Sequence, residues 1–277
     1  MAHLARERRE RATRKGAFFK DGAERQCAMY DLTKFNMANM VECGMALRTF
    51  GPSSQSMEEA ADKIVRFLYR HLLDPKTGKN AVALVRFFKT HDYDELPPDL
   101  KASSSEIVPS ASIPPGMKCL TLLASAGDEA EWNSRNSSRG HKAIPLPSQD
   151  FVRQFPMISS LVRQFGLELN SVLRPDPSCL RDLDETTYNV FHVPTALGSA
   201  YIPAQEDFVI PYGIESTLGF GGMLPSGNLF ATIMFFKVPI SHDIADLFQP
   251  LTLSVKIAVL QHDTEQIFRQ SEDPARA

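Results

Sequence analysis

Two apolar, β-prone runs, Ile214–Leu224 and Leu229–Val238, stand four residues apart, and the four between them are Pro225-Ser226-Gly227-Asn228. Turn-forming residues between two such runs read as a β-hairpin. Directly behind it, Ser241-His242-Asp243 opens a helical pattern through Ala245, Leu247, Phe248, Leu251, Leu253, Val255, Ile257 and Leu260. Pro250 lies inside that pattern and predicts a kink or break, because it has no N–H to give. A hairpin followed at once by a long helix points to an antiparallel sheet with helices packed against it.

The N-terminal side supplies the helices and the next strand. Leu32, Phe35, Val41 and Met45 recur at helical spacing between Met29 and Phe50, and Gly51-Pro52 stops them. Ser56 then reads as an N-cap with Glu58 and Glu59 in the first turn, where a carboxylate suits the positive end of a helix. The inner face of that second helix would be Ala60, Ile64, Phe67, Leu68 and Leu72. Asp74-Pro75-Lys76-Thr77-Gly78 is turn chemistry, and Ala81–Phe88 and Met117–Ala124 are strand candidates. Residues 94–116 read as a long connection with one helical turn, and 132–142 as a polar loop. Residues 148–165 read as helix divided at Pro156, 188–193 as a short strand and 194–207 as loop. No repeat recurs at a fixed period.

The order of these elements resembles a GAF domain at both flanks. The closing unit runs Tyr212-Gly213-Ile214-Glu215-Ser216-Thr217-Leu218, Gly221-Gly222-Met223-Leu224, Gly227-Asn228-Leu229-Phe230-Ala231, then a helix from Asp243 to Val259. The opening is helix, a second helix beginning Ser56-Met57-Glu58-Glu59, and the strand Ala81–Phe88. The likeness covers residues 29–90 and 208–262; the segment 90–207 is longer and less regular than the family's core. The resemblance implies an α+β fold, a GAF-like antiparallel sheet with the N- and C-terminal helices packed on one face and long loops over the other. It also implies a non-enzymatic sensor or regulatory domain in bacterial signal transduction, binding a small molecule or a partner. Output would pass through the terminal helices, to a homodimer mate, a histidine kinase or another signalling protein.

Composition excludes several alternatives. Net charge is −3 over 277 residues, with 43% hydrophobic and 23% charged, so the chain as a whole has no pull toward nucleic acid or membrane. The first 25 residues hold eight basic against four acidic side chains, +4, which leaves −7 for the remainder. Residues 1–26 are therefore expected as a basic, disordered arm, 27–265 as the sensory domain and 266–277 as a polar tail. A nucleic-acid role is disfavoured because no basic aromatic sheet or recognition helix accompanies the arm. Arg and Glu alternate where a signal peptide needs an apolar stretch, and no run is long enough to span a bilayer. A cytoplasmic location with reduced thiols is expected.

Cys27, Cys43, Cys119 and Cys179 form no C-x-x-C pair. An enzymatic alternative is a GAF-type thiol reductase acting on an oxidised small molecule; it would need two of Cys43, Cys119 and Cys179 to meet around a low-pKa thiolate. No histidine pair has the spacing of a helical metal site, no phosphate loop is complete, and no cofactor is named by the residues. The candidate ligand pocket comprises Arg86, Trp132, Arg139, His141, Tyr188, His192, Tyr201 and Tyr212. Arg86 would anchor an anionic group, and the aromatic residues would provide walls with polar tips. The remaining alternative is an adaptor module with no ligand, its sheet face filled by side chains.

Overall fold

The computed structural model describes residues 29–109, 112–138, 140–175 and 188–269. Its framework is a six-stranded, wholly antiparallel sheet built from two meanders. The first contains β3 (Val82–Asp92), β4 (Lys118–Gly127) and β5 (Ala143–Leu146). The second contains β6 (Phe191–Val193), β7 (Ser216–Met223) and β8 (Leu229–Phe236). They join where β3 pairs with β8, giving the order β5-β4-β3-β8-β7-β6. A separate two-residue parallel pair, β1 (Tyr30–Asp31) with β2 (Leu72–Leu73), ties the start of the described chain to the second helix.

Both faces of the sheet are covered, which is why a central strand such as β8 reads as a near-continuous apolar run rather than an alternating one. Along β8, Phe230, Met234 and Phe236 enter one core, while Leu229, Ala231, Ile233 and Phe235 enter the other. The first core lies under α1 (Met37–Arg48), α2 (Met57–His71) and a broken C-terminal helix. That helix is α7 (His242–Asp246) followed by α8 (Leu251–Leu260), and Pro250 caps the second piece as the sequence predicts. Between the strands of the first meander runs α3 (Pro98–Ser105), longer than the single turn expected. The second core lies under α4 (Gln149–Val152), α5 (Pro156–Gln164) and α6 (Leu169–Leu173). Pro156 begins α5, where its missing N–H costs nothing. The antiparallel α+β architecture implied by the resemblance is present, with helical turns set into the middle segment that covers the second face.

Three local differences have physical causes. Helix α1 begins at Met37 rather than near Met29, because the Asn36 side chain accepts from the amides of Ala38 and Asn39 and fixes the start there. Strand β5 follows the polar loop unannounced, as four residues containing Pro145; it pairs only with β4, an edge position where proline is tolerated. Residues 266–269, expected within a polar tail, instead dock on α2. The Met57 and Glu58 amides donate to the carbonyls of Gln266 and Ile267, and Ile267 and Phe268 pack on the core.

Ser56 caps α2 as predicted, its Oγ accepting from the Glu59 amide at 3.1 Å, while Glu59 accepts from the Gln55 amide at 2.9 Å. Ser56→Ala is expected to cost about 1 kcal/mol. Urea unfolding measures it; an unchanged midpoint would mean that water replaces the hydroxyl at no loss.

Candidate functional site

Arg86 is a cation inside an apolar strand. Along β3 the side chains alternate, with Val85 and Phe87 in the core under α1 and α2 and Leu84 and Phe88 in the other. Arg86 therefore points to the second face, directly opposite Ser125 of β4 and Ile233 of β8. Its Nη2 donates to Ser138 Oγ at 3.3 Å, and Ser138 donates onward to the Gly140 carbonyl at 3.0 Å. Arg86 Nε is sealed from solvent with no hydrogen-bond partner, and so is Ser125 Oγ. Among the described residues no carboxylate lies within ion-pair distance of the guanidinium. Loss of solvent pulls its pKa down to about 10, so it keeps its charge at neutral pH. A buried charge without a counter-ion is costly.

An aromatic wall stands on the same face. Gly127, the β4 residue opposite Leu84, leaves room for the Trp132 ring; a Cβ there would lie 2.8 Å from it. Trp132 packs on Tyr212 and Phe208 with ring centroids 4.5 and 5.5 Å away, and Phe208 meets Phe235 edge-on at 4.9 Å. His141 sits beyond Ser138 at φ 60°. Its pKa lies below the ordinary imidazole value, through loss of solvent and then the charge of Arg86.

Of the eight residues singled out in the sequence, Arg86 and His141 come together electrostatically, and Trp132 and Tyr212 stack in the adjoining wall. Tyr188 is buried in the same core and packs on Gly222, where a Cβ would lie 2.3 Å from its ring. His192 faces the other way: its neighbours Phe191 and Val193 occupy the Arg86 face. Its Nε2 bonds the Ile240 carbonyl at 3.0 Å, and its ring stacks on His242. Tyr201 lines an outer groove of about 570 Å³ with Arg153, Arg163 and Glu168, apart from Arg86. Arg139 lies outside the described residues. Phe208, Ser125 and Ser138 were not singled out, although Phe208 lies only four residues before Tyr212.

A second buried polar group, also not anticipated, gathers where β3 meets the hairpin turn. Lys89 is fully buried; its amine makes no hydrogen bond, and its acid partner, Asp263 Oδ1, is 3.8 Å away. Burial pulls its pKa down to about 8 against the attraction of Asp263. His91, two residues on, has both ring nitrogens buried without partners, and its pKa lies well below the ordinary value, first through burial and then through Lys89. Asp263 is held by Ser226, whose amide and hydroxyl donate at 3.0 and 2.8 Å. Lys118 donates to Asn228 at 3.0 Å and pairs with Asp92 at 3.1 Å.

The two described thiols are not activated. Cys43 lies in the core under α1 with its pKa pushed up by burial to about 12, and Cys119 lies in a separate small cluster with its own pushed up to about 11. Cys27 and Cys179 lie outside the described residues. Among the described residues no three metal-ligating side chains converge, and no helix is long and apolar enough to cross a membrane.

No protein-family model and no curated protein matches the sequence. Solved structures do resemble its fold. One is a GAF sensor protein from Burkholderia vietnamiensis, 10% identical over 82% of this chain and 96% of that one, TM-score 0.42. Another is the free methionine-R-sulfoxide reductase from Neisseria meningitidis, solved with its substrate, 9% identical over 86% and 98%, TM-score 0.44. A third is the phycocyanobilin-bound GAF domain of a cyanobacterial phytochrome, 10% identical over 83% and 96%, TM-score 0.38. Likenesses this distant say nothing of ligand, chemistry or partner.

Proposed function

We propose that this chain is a GAF-like sensory domain that binds a small anionic molecule on the sheet face carrying Arg86. The supporting observation is the Arg86 guanidinium, charged, largely withdrawn from solvent and held, among the described residues, by the Ser138 hydroxyl. A carboxylate or phosphate would accept from Nε and Nη together, the paired geometry that suits arginine. Ser125 and Ser138 hydroxyls flank the position, and the Trp132–Phe208–Tyr212 stack would bound an organic body. Most of the remaining face is filled by side chains such as Phe165, Phe191 and Phe235, so the ligand is small. Strand β3 then connects the site to the helices, since Val85 and Phe87 on its reverse side support the layer of α1 and α2. A ligand favouring one position of β3 would shift those helices by its differential affinity.

Native mass spectrometry of the protein from its own host is the test, run in parallel on Arg86→Met. The expected result is an added anionic mass on the wild type that is absent from the variant. Removing a charged hydrogen-bond partner should weaken binding by about 2–4 kcal/mol. Bare protein in both samples would count against the reading and favour a ligand-free adaptor, which the filled remainder of this face would suit.

A further inference from the structure

Beyond α8 the chain folds back across the N-terminal end of α2. Asp263 fixes the first point, accepting from the Ser226 amide and hydroxyl. Gln266 then turns through left-handed backbone at φ 57°, a conformation that a residue with a Cβ adopts at a cost. The carbonyls of Gln266 and Ile267 accept from the Met57 and Glu58 amides at 3.0 and 2.9 Å, and the Arg269 amide donates to Glu58 Oε2 at 3.0 Å. Phe268 lies against the His91 ring with centroids 5.2 Å apart, and the Arg135 guanidinium stands 5.6 Å from the Phe268 centroid. Beneath this segment His91 is 1% exposed, and neither of its ring nitrogens meets a hydrogen-bond partner among the described residues.

We propose that residues 263–269 form a strap that acid releases from the fold, with His91 as the residue that takes up the proton. A neutral imidazole can be sealed under Phe268 at the loss of its hydrogen bonds to water. An imidazolium cannot, because its charge would have neither water nor a counter-ion there. Burial, then the charges of Lys89 on the same strand and Lys118 on β4, holds the His91 pKa well below the ordinary value. Its cross-strand neighbour Cys119 stays a neutral thiol, pushed up by burial to about 11. The carboxylates around it are engaged elsewhere: Asp263 by Ser226 and Lys89, Asp92 by Lys118, Glu58 and Asp99 by Arg135. Opening the strap returns water to His91. It gives up the two bonds to α2 and the packing of Ile267 and Phe268, both only half-buried. That is far less than unfolding the sheet, so the release is local. With the strap open His91 returns toward the ordinary 6.5; the strap therefore stays closed above that pH and opens as pH falls through it. His91 and Arg86 lie on opposite faces of β3, so the proposal is independent of the anion site.

Hydrogen exchange of the full chain at pH 7.5 and pH 5.0, corrected for the intrinsic rate of each amide, tests it. Protection of the Met57, Glu58 and Arg269 amides should fall about 30-fold between the two, since opening gains up to about tenfold per pH unit below 6.5. The Ala60 amide, bonded to the Ser56 carbonyl within α2, and the amides of β8 should keep their protection. His91→Phe should hold the strap closed at both pH values, and His91→Leu replaces it if that variant does not fold. His262→Gln, which alters the histidine beside the strap, should keep the full response. Unchanged strap amides at pH 5.0, a response that survives both His91 variants or vanishes with His262, or sheet amides that lose protection together with the strap would overturn the proposal.

Discussion

Replacing Lys89 with methionine should make the protein more stable, by about 2–3 kcal/mol at pH 7. The amine is fully buried, makes no hydrogen bond and meets the Asp263 carboxylate at 3.8 Å. A thioether of similar length fills the same space with no charge to desolvate. Asp263 keeps both bonds from Ser226, so it is not stranded. The pH dependence carries the same signature. The Lys89 pKa falls from an ordinary 10.5 to about 8 on folding, so the unfolded chain binds the extra proton between those values. Stability therefore rises with pH across that window, by about 3 kcal/mol at most. Below pH 8 the penalty is at its full size. His91 acts in the same direction lower down: held neutral when folded, it removes stability as pH falls below the ordinary 6.5. Urea unfolding at pH 5, 7 and 10.5 of wild type and Lys89→Met separates the two groups. The difference between them should shrink toward zero by pH 10.5, whereas the acid limb should persist in reduced form, since burial still depresses His91 once the Lys89 charge is gone. A variant less stable than wild type at pH 7 would mean that the amine holds the hairpin turn together, and would defeat the argument.

Lys89 also shows where the sequence was legible and where it was not. The strands were visible because both sheet faces are buried: runs such as Leu229–Phe236 stay apolar at every position but Thr232, whichever core each residue enters. Caps and breaks at Ser56, Pro156 and Pro250 were visible because a hydroxyl or a missing N–H acts on its own few neighbours. Strand β5 was hidden, since four residues with a proline carry no periodicity, and only pairing to β4 makes them a strand. In the candidate site, Arg86 was recognisable as a lone cation within an apolar run. Lys89 and His91 give the same signal three and five residues on. Odd separations along β3 place them on the opposite face from Arg86, so they form a distinct group. His192 shows the same period-2 rule from the other side: with Phe191 and Val193 turned toward Arg86, it could not also line that face. The unpaired state of Arg86, and the stacking of Phe208 on Trp132, arise from contacts distant in sequence, and only the fold brings them together.

The largest loss is expected where the terminal helices touch. A Cβ at Gly51 would lie 2.4 Å from the Ala258 carbonyl oxygen and 3.0 Å from its Cα, and both are backbone atoms that no rotamer change can move aside. Gln261 reinforces the contact by donating from Nε2 to the Gly51 carbonyl. Gly51→Val must therefore push the end of α1 away from α8, opening the layer that covers Phe220, Phe236 and Phe248. Overpacking alone costs about 1–3 kcal/mol, and partial exposure of that core should bring the total to about 4 kcal/mol. Gly140→Ala is the control, with no atom within 4 Å of the added methyl and no positive φ recorded there; its unfolding midpoint should not move. A midpoint within about 1 kcal/mol of wild type would mean that the two helices can part without disturbing the core beneath them.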